Sequence, residues 1–135
     1  MKSCVAIVSF SVLLFSCSIA DREARQASQV AESFLESLFT CRFAQADEYC
    51  TSAGQTEVRW FASNLTEEEL ALITTLPEIK TLGADVQDSM ALVTFRAKGV
   101  IVADSLERQG TIGERDGRVR LVRQKGEWRV DALEW

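Results

Sequence analysis

The only proline of the chain, Pro77, separates two kinds of hydrophobic pattern. Before it, apolar residues recur at three- and four-residue steps. After it, they recur at every second residue. Helices that all precede strands cannot interleave as βαβ units, so the order restricts the chain to an α+β layout with the helices on one face of an antiparallel sheet.

The helical half opens with Ala27, Val30, Ala31, Phe34, Leu35 and Leu38 on one stripe and Arg25, Gln29, Glu32 and Glu36 opposite. This predicts a helix from Asp21 to Thr40, with Asp21 as N-cap and Glu23 in a first turn where the helix dipole favours it. A second, shorter helix is expected from Phe43 to about Cys50, stopped by Thr51-Ser52-Ala53-Gly54. A third, capped by Thr56, would bury Val58, Phe61, Ala62 and Leu65. Thr66-Glu67-Glu68-Glu69 fits the capping box, threonine followed three residues on by glutamate, and opens a fourth. The three glutamates read as a dipole-stabilised helix start rather than a metal site, because successive side chains point different ways around a helix.

In the second half, Ile79 to Val86 reads as a strand with a bulge at Gly83, followed by a turn at Gln87-Asp88-Ser89. Ala91, Val93, Phe95 and Ala97 alternate with Leu92, Thr94, Arg96 and Lys98, and Val100 to Ala103 prolongs that strand. Asp116-Gly117 and Lys125-Gly126 are turn signals flanking Val119 to Gln124. A last strand from Glu127 to Trp135 sets Trp128 and Val130 against Arg129 and Asp131. The expected sheet is a four-stranded antiparallel meander.

Histidine is absent from the 135 residues. That removes the Ser-His-Asp and Cys-His arrangements, His-ligated zinc and the commonest general base near neutral pH. Cys41 and Cys50 form no CxxC pair, and a thiolate zinc site needs more ligands at closer spacing. A disulfide between them is the alternative to two free thiols packed as small hydrophobes. On one straight helix their nine-residue separation spans about 13 Å, against a Cα limit near 7 Å, so a bridge would need the chain to fold back between them.

The first residues carry an address. Lys2 precedes an apolar run from Val5 to Phe15, closed by Ser16 and Cys17. A membrane span needs roughly 20 apolar residues, about twice this run, and Asp21, Arg22 and Glu23 end it. Leu14-Phe15-Ser16-Cys17 resembles the lipobox of a bacterial lipoprotein signal peptide. In that family the chain is cut before the cysteine, which then carries acyl chains such as palmitate. A secretory signal cut after Ala20 is the rival reading. The expected division is a signal peptide over 1–16, a lipidated cysteine and short tether over 17–23, and one domain over 24–135. Loss of residues 1–16 leaves 14 basic and 20 acidic side chains, a formal net charge of −6. This disfavours nucleic acid as a partner, since such binding rests on basic patches.

Val30-Ala31-Glu32-Ser33-Phe34-Leu35-Glu36-Ser37-Leu38 and Phe43-Ala44-Gln45-Ala46-Asp47-Glu48-Tyr49-Cys50 resemble the opening helices of small bacterial lipoproteins of unknown function. Those proteins belong to the nuclear-transport-factor-2-like (cystatin-like) superfamily. Leu121-Val122-Arg123-Gln124-Lys125-Gly126-Glu127-Trp128-Arg129-Val130-Asp131 resembles that family's closing hairpin. The resemblance implies a curved sheet that forms a cone with the helices. It also implies that some relatives use the cone for isomerase or dehydratase chemistry, with an aspartate base and a tyrosine donor. Tyr49 and Asp47 are two residues apart and cannot face one another on a helix. Asp85 and Asp131 could point into a cavity or pair with neighbouring arginines. No catalytic residue, metal ligand or cofactor site is assigned.

Trp60, Phe61, Phe95 and Trp128 are candidate pocket-lining residues for a small apolar ligand, with a filled core as the alternative. Arg115, Arg118, Arg120, Arg123, Lys125 and Arg129 read as a solvated face, or as a docking patch for an acidic partner. Asp88-Ser89-Met90 and Asp104-Ser105-Leu106 resemble a bacterial O-glycosylation acceptor, and Asn64-Leu65-Thr66 fits the N-glycosylation sequon. The expected protein is lipid-anchored at Cys17 in the cell envelope, at the outer membrane on its periplasmic or surface face. Its domain would be non-catalytic and bind a small apolar ligand or an envelope partner. An enzyme of the same fold with Asp-based proton transfer, and a homodimer formed through the sheet, are the alternatives.

Overall fold

The computed structural model describes the backbone of residues 2–73, 76–102 and 111–135, with side chains from residue 19 onward except that of Thr111. Ala103, the Asp104-Ser105-Leu106 motif and the side chain of Cys17 lie outside the described residues. Four helices come first: α1 (Lys2–Phe39), α2 (Phe43–Asp47), α3 (Ser52–Asn64) and α4 (Glu67–Leu72). Four strands follow: β1 (Glu78–Gln87), β2 (Met90–Val102), β3 (Thr111–Gln124) and β4 (Glu127–Glu134). They pair antiparallel in the order β1-β2-β3-β4, the meander that the period change implies.

α1 buries its apolar stripe, with Ala27, Ala31, Phe34, Leu35 and Leu38 at most 1% exposed. It lies against the concave face of the sheet, where Ala91, Val93, Phe95 and Ala97 of β2, Val119 and Leu121 of β3 and Val130 of β4 are likewise buried. Burial of one such large side chain is worth about 1.5–3 kcal/mol, so this interface dominates the stability of the domain. The expected N-cap at Asp21 is not formed, because α1 runs through that residue. No helix among the described residues is long and apolar enough to cross a membrane.

Three bulges curve the sheet. Leu82 is the unpaired residue of β1, between Thr81 opposite Phe95 and Gly83 opposite Thr94. Gly99 is the unpaired residue of β2, at φ 76°, where a side chain is disfavoured. Asp131 is the unpaired residue of β4. Each bulge bends its strand and raises the local twist.

Two turn assignments need correction. Asp116-Gly117 is the middle of β3, not a turn. Gly117 faces Phe95 across the pair, and a Cβ there would stand 2.8 Å from the Phe95 ring and 2.7 Å from the carbonyl oxygen of Glu134. The glycine makes room for an aromatic ring rather than a reversal. Likewise, Thr51-Ser52-Ala53-Gly54 begins α3 instead of ending α2. Thr51 is extended and its hydroxyl accepts from the Gly54 amide at 3.2 Å, which makes it the N-cap in place of Thr56. Thr66 caps α4 as its sequence pattern implies, accepting from the Glu69 amide at 3.1 Å.

The link between helices and sheet is made by the segment before α3. The Val130 amide donates to the Tyr49 carbonyl at 2.7 Å, and the Thr51 amide donates to the Val130 carbonyl at 2.8 Å. Cys50 thereby forms a parallel bridge with Val130 on the edge of β4. Gly54 packs so closely that a Cβ would stand 2.1 Å from the Val130 carbonyl oxygen.

Cys41 ends α1 in the left-handed region, at φ 61°. Its amide donates to Leu38 at 3.1 Å and that of Arg42 to Ser37 at 2.9 Å, the Schellman pattern that usually carries glycine. Cys41 and Cys50 are free thiols.

Gly54→Ala is expected to destabilise the domain by about 2–3 kcal/mol, whereas Gly83→Ala, which meets nothing within 4 Å, should stay within about 0.5 kcal/mol of wild type. Denaturant titration of both variants reads the contrast. Cys41→Gly is expected to stabilise by about 1 kcal/mol in the same assay, because it relieves a side chain held at positive φ.

Candidate functional site

The interior of the cone is filled by side chains. Phe34 and Phe95 are fully buried, and a chain of ring contacts continues from Phe95 to the open end. Phe95 meets Trp135 with centroids 5.9 Å apart, Trp135 meets Phe39 at 5.8 Å, and Phe39 meets Phe61 edge-on at 5.8 Å. Phe43 adds a further edge contact to Phe61 at 6.3 Å. Such offset and edge-on pairs add roughly 0.5–1.5 kcal/mol each beyond their buried area.

At the mouth of the cone a recess of about 170 Å³ remains between α3, α4, β2, β3 and the C-terminal residue. Trp60, Phe61, Leu65, Ile101 and Trp135 form its apolar walls, with Asn64, Glu69 and Arg115 as its polar groups. Trp60 is 61% exposed and Trp135 43%, so the recess opens to solvent between two indoles. The Asn64 amide is engaged by the Trp60 carbonyl at 2.7 Å, and a Glu69 oxygen accepts from the Thr66 hydroxyl at 3.1 Å.

The four candidate lining residues are therefore divided. Trp60 and Phe61 share the recess, while Phe95 stands behind it in the core. Trp128 is at the opposite end of the sheet, 6% exposed, and its indole donates to Glu23 of α1 at 3.0 Å. Trp135, Ile101 and Arg115 complete the recess without having been singled out in the sequence for that purpose. Arg115 turns toward the concave face because it pairs with Ala97 and falls on the same alternation as Gly117 and Val119 along β3.

The carboxylates and the tyrosine weighed as catalytic groups lie elsewhere. Asp131 accepts from the Thr51 hydroxyl at 2.9 Å and pairs with Arg120 at 3.4 Å, so it ties β4 to α3 and β3. Asp85 lies on the outer face of the sheet, beside Ser89 and Arg120 in a second groove. Tyr49 lines a third groove between α1 and the last hairpin. Asp47 has one buried carboxylate oxygen without a hydrogen-bond partner among the described residues. The Cys50 thiol is pushed up to about 12 by burial and by the Asp47 carboxylate, against a smaller opposing effect of Arg129. At neutral pH it is a protonated hydrophobe, not a nucleophile. Among the described residues, no group of three or more cysteine, aspartate or glutamate side chains could hold a metal ion.

The basic residues of the last two strands do not form one patch. Arg118 pairs with Glu134 at 3.2 Å, Arg120 with Asp131, Arg123 with Glu23, and Arg129 with Glu127 at 2.9 Å. Arg96 of the neighbouring strand takes both Asp116 oxygens, at 2.9 and 3.2 Å, which holds the Asp116 carboxyl below its ordinary range. Arg115 instead lies over the Trp135 ring, 3.6 Å from its centroid.

No protein-family model matches this chain, and no curated protein matches it in sequence. Among solved structures it is similar to a variant of Rv3472, a protein of unknown function from Mycobacterium tuberculosis. The TM-score is 0.55 at 15% identity, over 80% of this chain and 67% of that one. It is similar to a proposed dehydratase of the NTF2-like family from Streptomyces avermitilis, at TM-score 0.52 and 13% identity, over 82% and 92% of the two chains. A third similarity is to the intermembrane-space region of the chloroplast protein ARC6, at TM-score 0.51 and 14% identity, over 82% and 95%. At these identities the comparisons show the fold: helices followed by a curved four-stranded antiparallel sheet, the NTF2-like α+β cone.

Proposed function

We propose that this chain is a lipid-anchored bacterial cell-envelope protein whose NTF2-like domain is non-catalytic and takes one small apolar group into the recess at the mouth of its cone. The recess is the observation that carries the binding half of this reading. Its walls are aromatic and aliphatic, it opens between two exposed tryptophans, and its volume of about 170 Å³ decides what enters. Drug-sized ligands occupy roughly 300–1,000 Å³, so this recess suits a single ring or short chain, from a free ligand or from an envelope partner. None of the described residues lining it is an aspartate, which favours binding over Asp-based proton transfer.

The anchor half rests on Cys17 at the end of the apolar stretch. Several acyl chains at roughly 0.8 kcal/mol per buried methylene hold a protein at a bilayer without a span. Glu23, six residues after Cys17, is bound by the Trp128 indole and the Arg123 guanidinium of the last hairpin. A domain held that way stands close to the membrane, at the outer membrane on its periplasmic or surface face.

Mass spectrometry of the full-length protein expressed in a bacterium, beside Cys17→Ser, tests the anchor. The wild type is expected to lose the first sixteen residues, gain acyl mass and partition into detergent, and the variant to do none of these. A wild-type protein without acyl mass would overturn the anchor.

A further inference from the structure

Arg115 sets the chemistry of the recess apart from a plain apolar hole. It projects from β3 on the same face as its cross-strand partner Ala97, toward the concave side of the sheet, where its neighbours are core residues. Its guanidinium carbon lies over the Trp135 ring, 3.6 Å from the ring centroid. The attraction of the ring face holds the cation in place without the ring accepting an ion pair, so the contact with Trp135 does not neutralise its charge. Burial pulls its pKa below the ordinary arginine value. Arg118, Arg120, Arg123 and Arg129 on the same two strands each have a carboxylate within ion-pair distance, whereas among the described residues Arg115 has none.

A half-buried cation that has no carboxylate partner among the described residues, at the edge of an apolar recess, favours an anion that brings its own apolar body. Glu69 lies in the same lining but is only 6% exposed, and it is engaged by Thr66, the residue that caps its helix. It stands beyond ion-pair distance of Arg115, so it marks the side from which an anionic head is repelled. The two groups together give the recess a direction, with the head at Arg115 and the ring between Trp60 and Trp135.

We propose that the recess is a site for a small aromatic carboxylate, its carboxylate on the Arg115 guanidinium and its ring between the Trp60 and Trp135 indoles. This rests on the reading that the recess accepts one small apolar group, and adds the charge that the group must carry.

The full chain in detergent solution, with its three tryptophans nitrogen-labelled, supplies the test. Benzoate and its neutral isostere benzamide are titrated while the indole N–H resonances are followed. Benzoate is expected to shift Trp60 and Trp135 and to leave Trp128 in place, with benzamide about tenfold weaker. Arg115→Gln should bring benzoate down to the benzamide level, and Glu69→Gln should tighten benzoate. Equal affinity of wild type for the two probes would overturn the carboxylate site while leaving the apolar recess standing. Absence of any shift at Trp60 and Trp135 with either probe would remove both. An Arg115→Gln protein that keeps the Trp128 resonance and binds benzoate undiminished would also overturn the proposal. Because the benzoate and benzamide comparison uses only the wild-type chain, it decides the matter even where the variant fails to fold.

Discussion

The two hydrogen bonds between Val130 and the Tyr49–Thr51 segment join the helical half of the molecule to its sheet. β4 is an edge strand, and its backbone groups at this point would otherwise face solvent or another chain. Pairing them with the segment between α2 and α3 covers that part of the edge. The same step places Thr51 as the cap of α3 and brings its hydroxyl onto the bulged Asp131. α3 leaves the sheet from that fixed point and carries Trp60 and Phe61 to the mouth of the cone. Gly54 is required because no side chain fits between α3 and the Val130 carbonyl. The recess is therefore positioned by contacts near its helix's opposite end.

Much of this was legible in the order of the residues. The change of hydrophobic period at Pro77 separates helices from strands, the stripe from Ala27 to Leu38 is the buried face of α1, and Thr66 with Glu69 is a capping box. Lys125-Gly126 is a turn, with both residues at positive φ. The misreadings share one cause, which is that local signals were overruled by distant partners. Thr51 to Gly54 resembles a helix stop until β4 arrives to pair with it. Asp116-Gly117 resembles a turn until Phe95, on the neighbouring strand, occupies the space over the glycine. The site divides the same way. Trp60 and Phe61 are recognisable as aromatic residues of one helix. Ile101 and Trp135 reach the same recess only because the bulges at Gly99 and Asp131 shift the alternation of β2 and β4 by one residue, and Arg115 joins them across the pair with Ala97.

The charges are distributed to match. On the outer face of the sheet, arginines and carboxylates from neighbouring strands neutralise one another, and exposed pairs of this kind contribute only about 0–1 kcal/mol each. They leave no broad basic surface, in keeping with an acidic chain. Inside the cone the fill is apolar, and the Cys50 thiol is kept protonated there. The mouth is where apolar walls meet Arg115, which has no carboxylate partner among the described residues, and it is at the far end of the sheet from the Trp128–Glu23 contact.

Among the described residues, side chains fill the cone, and the recess at its mouth is the place proposed for an apolar group. Xenon, which enters dry apolar cavities without needing a polar contact, tests this directly when methyl resonances of the folded protein are followed under xenon pressure. Shifts are expected to concentrate on Leu65 and Ile101 at the recess, with Val93 and Leu121 of the sheet interior unmoved. Shifts of comparable size at Val93 and Leu121 would reveal an open cone and contradict this expectation.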